Sequence, residues 1–104
     1  MTTMRIIDAH THFPGRRLGA SPRPIAAIRD EFEEAGLAGA WIFTTDGLYG
    51  DCPRHNDLLA EAVRGDRDFF VPFCTVDPHA GPDAAARELE RCRRDLAMPG
   101  VKLH

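Results

Sequence analysis

Four short apolar runs recur along this chain of 104 residues, and they restrict its fold more than any other feature. Each run is apolar nearly throughout and does not alternate with polar residues, which is typical of strands buried on both faces of a parallel sheet. The segments between the runs carry apolar residues three or four positions apart, which is typical of helices with one buried face. The sequence therefore predicts an α/β fold, in the order β-α-β-α-β-α-β.

The predicted strands and helices alternate along the chain, as a single domain over 1–104, at 4–9, 21–36, 39–45, 56–66, 69–78, 82–97 and 100–104. The last helix is expected to bury Leu89, Cys92 and Leu96 on one face. The third strand is the weakest of these predictions, because Pro72 has no N–H to donate to a neighbouring strand.

A parallel sheet of this kind can close into a TIM barrel or stay open and doubly wound. The chain has no GxGxxG or GxxxxGK[ST] motif after a strand, which counts against the nucleotide-binding open sheets. In both architectures the functional residues lie at the carboxyl ends of the strands. His10 and His12 follow the first predicted strand at that position.

Composition narrows the classes of partner. A net charge of −3 without long charge runs gives no electrostatic signature of binding to nucleic acid or to an acidic membrane surface, so small molecules or proteins are the expected partners. The chain contains no apolar stretch long enough for a signal peptide or a membrane span. Three widely spaced cysteines without a CxxC pair predict reduced thiols, and hence a cytoplasmic protein.

The stretch MRIIDAHTHF, at 4–13, places two histidines one residue apart at the end of an apolar run. Alternate residues of a strand point to one face, so Asp8, His10 and His12 should point the same way. Two imidazoles at this spacing can chelate one metal ion. The other interpretation is that they are polar residues at a strand end that hydrogen-bond to nearby backbone.

The segment IDAHTHF resembles the first-strand metal motif of the amidohydrolase superfamily. Further along, HNDLLAEAV, DRDFFVPFCTVDP and AARELERCRRDLAMPGVKLH resemble successive segments of its amidohydrolase-related group, which includes aminocarboxymuconate-semialdehyde decarboxylase-like enzymes and lactone hydrolases. The resemblance covers nearly the whole chain, in order.

This resemblance implies that the chain is the N-terminal half of a TIM (β/α)8 barrel, a fold that typically needs about 250 residues. It implies His10 and His12 as two ligands of a divalent metal, most often zinc, with the family's other ligands on the fifth, sixth and eighth strands, beyond this chain. The activity it implies is a metal-dependent hydrolase in which activated water attacks a carbonyl or lactone. The alternative is a metal-dependent, non-oxidative decarboxylase.

Two residues of the last predicted strand are further candidates for catalytic roles. Lys102 occupies a position where some binuclear family members carry a carboxylated lysine that bridges two metals. A lysine that pairs with a carboxylate or contacts substrate is the favoured interpretation, because this group is usually mononuclear. His104 lies on the same strand face and is expected to reach the site, or to fray as the terminal residue.

The remaining polar candidates are expected to be structural. His55 and His79 have loop-like contexts, and Asp46 should serve its turn. Asp8 could accept a hydrogen bond from a ligating histidine or from backbone at the strand end.

Three hypotheses about the whole protein follow. The chain is part of a longer metal enzyme and is inert alone, or it is a half-barrel that pairs with another half or with itself, or it is a non-catalytic remnant that binds no zinc. Self-association is expected because unpaired sheet edges and apolar residues would be exposed. Those residues are Ile6, Ile42, Phe43 and Val71.

Overall fold

A computed structural model describes residues 4–13 and 23–103. Three parallel strands, β1 (Ile7–Phe13), β2 (Gly39–Thr44) and β3 (Phe70–Phe73), form one sheet in the order β1-β2-β3. Three α-helices connect or follow them: α1 (Ile25–Glu34), α2 (Cys52–Ala62) and α3 (Pro82–Asp95). Short 3-10 turns lie at Asp46–Tyr49 and Pro78–Ala80. The predicted α/β class and its parallel strand arrangement are confirmed.

The first strand begins later than predicted and runs through the two histidines. Its register against β2 shifts between Asp8 and Thr11, so the strand is irregular where His10 lies. Predicting 4–9 was wrong because the apolar run was taken as the strand, whereas pairing with β2 continues to Phe13.

The fourth predicted strand is reduced to one parallel bridge between Cys74 and Val101 in the described chain. The N–H of Cys74 donates to the carbonyl of Gly100 at 3.0 Å, and the N–H of Lys102 donates to the carbonyl of Cys74 at 2.7 Å. The 100–103 segment therefore lies beside the chain that leaves β3. It occupies the next position of a parallel sheet without forming a regular strand.

Helix α2 begins four residues before its predicted start. Asp51 adopts a left-handed conformation, with φ of 49°, and its carboxylate accepts from the N–H of Arg54, while Pro53 occupies the first turn. Both features favour a helix start. The predicted cap of the first helix at Ser21 lies outside the described residues.

The core lies between the sheet and the helices. Its fully buried members include Ile42, Leu59, Val63, Phe70 and Cys92. The prediction for α3 was wrong in one respect: Leu89 is 41% exposed, whereas Cys92 is buried. Only part of the predicted face is therefore buried, with Leu96 partly buried against the core.

The predicted exposure of Ile42 and Phe43 was also wrong, because both are buried. Ile42 is on the side of the sheet that the helices cover. Phe43 is on the opposite side, where imidazole rings and Lys102 surround it. Ile6 is 50% exposed, as expected, and Val71 is half-buried.

None of the helices in the described ranges has the length and apolar character that a membrane-spanning helix requires.

Candidate metal centre

His10 and His12 project from β1 on the side of the sheet away from the helices, and both are exposed. Their Nε2 atoms lie 2.9 Å apart, and their ring centroids lie 4.8 Å apart. The residue between them, Thr11, is buried and points to the other side. The strand thus brings the two predicted ligands together at one point.

Asp8 has the second of its two predicted roles. Its Oδ1 accepts from the backbone N–H of His10 at 2.8 Å. This hydrogen bond fixes the main chain at the irregular part of β1, immediately before the first histidine. The negative charge of the Asp8 carboxylate also raises the pKa of His12, but burial, His10 and Lys102 together lower that pKa by more.

The Phe43 ring is the common contact of the predicted site residues. It packs edge-on against His10, with centroids 4.9 Å apart, and lies 5.7 Å from the ring of His12. The ammonium of Lys102 lies over the same ring, 5.4 Å from its centroid. Two imidazoles and one cation therefore surround a single aromatic side chain.

The charges and the burial of this cluster shift the pKa of His12. Burial lowers its pKa most, and the charges of His10 and Lys102 lower it further. The neutral imidazole is the form that binds a metal, so these neighbours favour the ligating form.

The donor set fits part of a metal site. Two imidazole nitrogens bound to one tetrahedral zinc at 2.0–2.1 Å would lie roughly 3.3 Å apart, close to the separation observed. Zinc usually takes at least three protein ligands, and no group of three His, Cys, Asp or Glu side chains converges anywhere in 4–13 and 23–103. The described residues therefore present two candidate ligands, fewer than a zinc site usually has.

The other predicted candidates lie elsewhere. His104 lies outside the described residues, and His55 lies in the first turn of α2. His79 lies in the second 3-10 turn, where its N–H donates to Oδ1 of Asp77. Asp46 begins the first 3-10 turn, as its predicted turn role requires.

A second feature was missed from the sequence: a cavity of about 300 Å3 at the carboxyl ends of β2 and β3. It lies between the two 3-10 turns, and its lining includes Tyr49, Cys52, Thr75, Asp77 and His79. Neither His10 nor His12 lines it. Periodicity gives no signal for such a cavity, because loop conformations create it.

The wall of this cavity is braced from behind by Asn56, which is fully buried. Its Nδ2 donates to the carbonyl of Thr75 at 2.8 Å, and its Oδ1 accepts from the N–H of the same residue at 3.0 Å. Glu88 accepts from Asn56 and Arg91. Burial alone would raise the pKa of Glu88, but hydrogen bonds from Arg91, Cys92 and Asn56 outweigh it and hold the pKa below its usual value.

Comparison with curated proteins finds partial sequence relatives. A stretch of 48 residues is 44% identical to a gamma-resorcylate decarboxylase of Rhizobium radiobacter, and the same identity holds for the enzyme of that name from Rhizobium sp. strain MTP-10005. The stretch is 46% of this chain and 14% of each relative. No family model matches the chain.

Comparison with solved structures extends the likeness over the whole chain. The crystal structure of a 2,6-dihydroxybenzoate decarboxylase from Rhizobium matches 100% of this chain, with a TM-score of 0.72 and 22% identity. A protein from Staphylococcus aureus that is named as an amidohydrolase matches 94% of the chain, with a TM-score of 0.70 and 24% identity.

These structural likenesses confirm the fold that the resemblance implies, the N-terminal part of a TIM barrel. The chain spans 39% of the length of the solved decarboxylase.

Proposed function

We propose that this chain forms the metal-binding N-terminal part of a decarboxylase that acts on aromatic hydroxy-carboxylates of the 2,6-dihydroxybenzoate type. The observation that carries the proposal is the grouping of His10, His12 and Lys102 around the ring of Phe43. An aromatic carboxylate needs positive charge for its carboxylate, and the Lys102 ammonium offers that charge beside the two imidazoles.

Each residue has a part in this proposal. His10 and His12 would hold a divalent ion, most often zinc in such sites, and that ion would supply Lewis-acid polarisation of a substrate oxygen. The Lys102 ammonium would attract the substrate carboxylate, and the buried Phe43 ring would hold the two imidazoles and the ammonium in place. In the reaction the bond between the ring and the carboxylate breaks, carbon dioxide leaves, and the ring carbon takes a proton.

The names of the relatives support a decarboxylase over the hydrolase that the sequence motif first suggests, since both partial sequence relatives and the solved Rhizobium structure are decarboxylases. A metal-dependent hydrolase is the second candidate, and the likeness to the Staphylococcus aureus protein favours it. The 104-residue chain alone is predicted to be inactive in either case, because its described residues bring together only two candidate metal ligands.

Ligand binding tests the proposal without requiring turnover. The chain is loaded with one equivalent of zinc at a concentration where light scattering gives the mass of one chain. Binding of 2,6-dihydroxybenzoate is then followed by the fluorescence of Trp41, the only tryptophan. We expect binding that needs zinc, and a loss of at least about tenfold in affinity in Lys102→Met, equivalent to roughly 1.4 kcal/mol.

The matched ligand is 1,3-dihydroxybenzene, which keeps the ring and both hydroxyls but lacks the carboxylate. It should bind more weakly to the wild-type chain, and Lys102→Met should not affect it. Equal binding of the two ligands, or binding that is independent of zinc, would contradict a carboxylate site at this position.

A further inference from the structure

Two of the three cysteines lie side by side in the core, where α3 covers the carboxyl end of β3. Cys74 is 1% exposed and Cys92 is fully buried, and both belong to the core between the sheet and the helices. The thiols are hydrogen-bonded to each other, which lowers the pKa of Cys74 and raises the pKa of Cys92. The thiol of Cys52 instead donates to the carbonyl of Gly47 at 3.2 Å. The fold thus pairs two of the three thiols with each other.

The main chain holds both cysteines of this pair in place. The N–H of Met98 donates to the carbonyl of Cys92 at 3.0 Å, and Met98 is itself buried. The N–H of Cys74 donates to the carbonyl of Gly100, also at 3.0 Å. The chain that follows α3 therefore returns from one cysteine to the other, and main-chain hydrogen bonds fix the positions of both.

Glu88 is the proton acceptor beside the pair. Its Oε1 accepts from the Cys92 thiol at 3.2 Å, and the carboxylate also accepts from Asn56 and Arg91. Against the effect of burial, these hydrogen bonds hold the pKa of Glu88 below its usual value, so the side chain is a carboxylate at neutral pH. Loss of the Cys92 proton would still leave Glu88 bonded to Asn56 and Arg91.

We propose that Cys74 and Cys92 form a disulfide in the presence of hydrogen peroxide, and that this bond locks α3 to the carboxyl end of β3. Because both thiols are buried, the oxidant must be small, and hydrogen peroxide is close to water in size. The proposal does not depend on the function proposed above, since the pair lies on the helix-covered side of the sheet and His10 and His12 lie on the other.

The reaction has two balanced steps. The thiolate of Cys74 attacks one oxygen of the peroxide, the O–O bond breaks, and hydroxide leaves as water with the proton that Cys74 released, so that Cys74 becomes a sulfenic acid. Glu88 then takes the proton of the Cys92 thiol, and the Cys92 sulfur attacks the sulfur of Cys74. The S–O bond breaks, and the departing hydroxide takes the proton from Glu88 as water. Two thiols are oxidised to one disulfide, and one peroxide is reduced to two waters.

Mass spectrometry of the whole chain tests the proposal. The reduced chain is treated with hydrogen peroxide, and its remaining free thiols are alkylated before digestion with trypsin. We expect one alkylated cysteine in place of three, and a link between the tryptic peptides 68–87 and 92–93 that a thiol reductant removes. The disulfide closes a loop of the chain, so the melting temperature should rise by at least about 5 °C. In urea, where the fold does not select a pair, links to Cys52 should form as well.

Variants identify the two thiols and the proton acceptor. Cys74→Ala and Cys92→Ala should each abolish the link and the rise in melting temperature, whereas the matched control Cys52→Ala should keep both. Glu88→Gln should slow the second step at least about tenfold, so that the sulfenic acid of Cys74 accumulates and is labelled by dimedone after transfer to urea. Circular dichroism checks that each variant is folded.

The peptide map of the wild-type chain decides the proposal even if a variant fails to fold. Absence of the link between 68–87 and 92–93 after peroxide treatment would overturn it. A link to Cys52 in the folded chain, or a doubled mass under non-reducing conditions, would also overturn it, because the fold would then not select Cys74 and Cys92 as partners.

Discussion

The side-chain amide of Asn56 binds the main chain of Thr75 through two hydrogen bonds, of 2.8 and 3.0 Å, and thereby joins α2 to the chain that leaves β3. Both residues are buried. Asn56→Ala would leave the N–H and the carbonyl of Thr75 without partners, and an unsatisfied buried polar group costs about 1–3 kcal/mol. We expect a loss of about 2–4 kcal/mol in the free energy of unfolding, measured by urea denaturation.

The matched control for that substitution is Glu61→Ala on the same helix. Glu61 is exposed and lies 3.7 Å from Arg64 in a pair that water screens. Its removal should change the free energy of unfolding by less than about 0.5 kcal/mol. Equal effects of the two substitutions would mean that Asn56 does not brace the loop.

Gly100 lies directly against the Phe73 ring. A Cβ at Gly100 would come within 2.7 Å of that ring, which in turn stacks on Trp41. Gly100→Ala should therefore force Phe73 to move, destabilise the chain by about 1–3 kcal/mol, and change the emission of Trp41. Gly65→Ala is the control, since no atom lies within 4 Å of its Cβ position, and it should be neutral in both measurements.

Much of this fold could be predicted from the sequence because apolar runs and helical spacing report burial directly. Element ends depended on contacts that the pattern does not contain: the Asp51 carboxylate begins α2 early, and pairing with β2 extends β1 to Phe13. The pairing of His10 with His12 followed from strand geometry. Their joint contact with Phe43, and the brace between Asn56 and Thr75, required tertiary structure.

Arg29 forms a charged cluster that ties α1 to the loop before β3. Its guanidinium donates to Asp66 at 3.0 Å and to Asp68 at 2.9 Å, and it lies over the Phe69 ring. Hydrogen bonds from Arg29 are the main cause that lowers the pKa of Asp68. Arg29→Met should lower the melting temperature and return the pKa of Asp68 toward its ordinary value.

The sign of the pH effect follows from that shift. A carboxyl group whose pKa is lowered by folding stabilises the folded chain above its unfolded pKa, near 3.8, and this stabilisation is lost as the pH falls through the folded value. The wild-type chain should thus lose more stability than Arg29→Met when the pH is lowered from 5 to 3. Arg64→Met removes an arginine whose side chain is 80% exposed, and it should behave like the wild type in thermal scans.

Lys102 acts on His12 through its charge, and a conservative pair of variants isolates this effect. Burial is the largest cause that lowers the pKa of His12, followed by His10 and then Lys102. Lys102→Met should raise the pKa of His12 but leave it below 6.5, because burial and His10 remain. Lys102→Arg keeps the charge and should keep the wild-type pKa, as followed by NMR titration of the imidazole protons in the metal-free chain.

The consequence for stability has a defined direction. Between the folded and unfolded pKa values of His12 the unfolded chain binds more protons, so stability rises with pH in this window. The contribution is fully present above about 6.5 and is lost as the pH falls through the folded value. Lys102→Met brings the folded pKa of His12 closer to the unfolded value, so the pH range between the two pKa values becomes narrower. The free energy of unfolding should therefore depend less on pH below 6.5. If Lys102→Met and Lys102→Arg give the same titration curve, the charge of Lys102 does not affect His12. Lys102 would then also be excluded from the proposed carboxylate site.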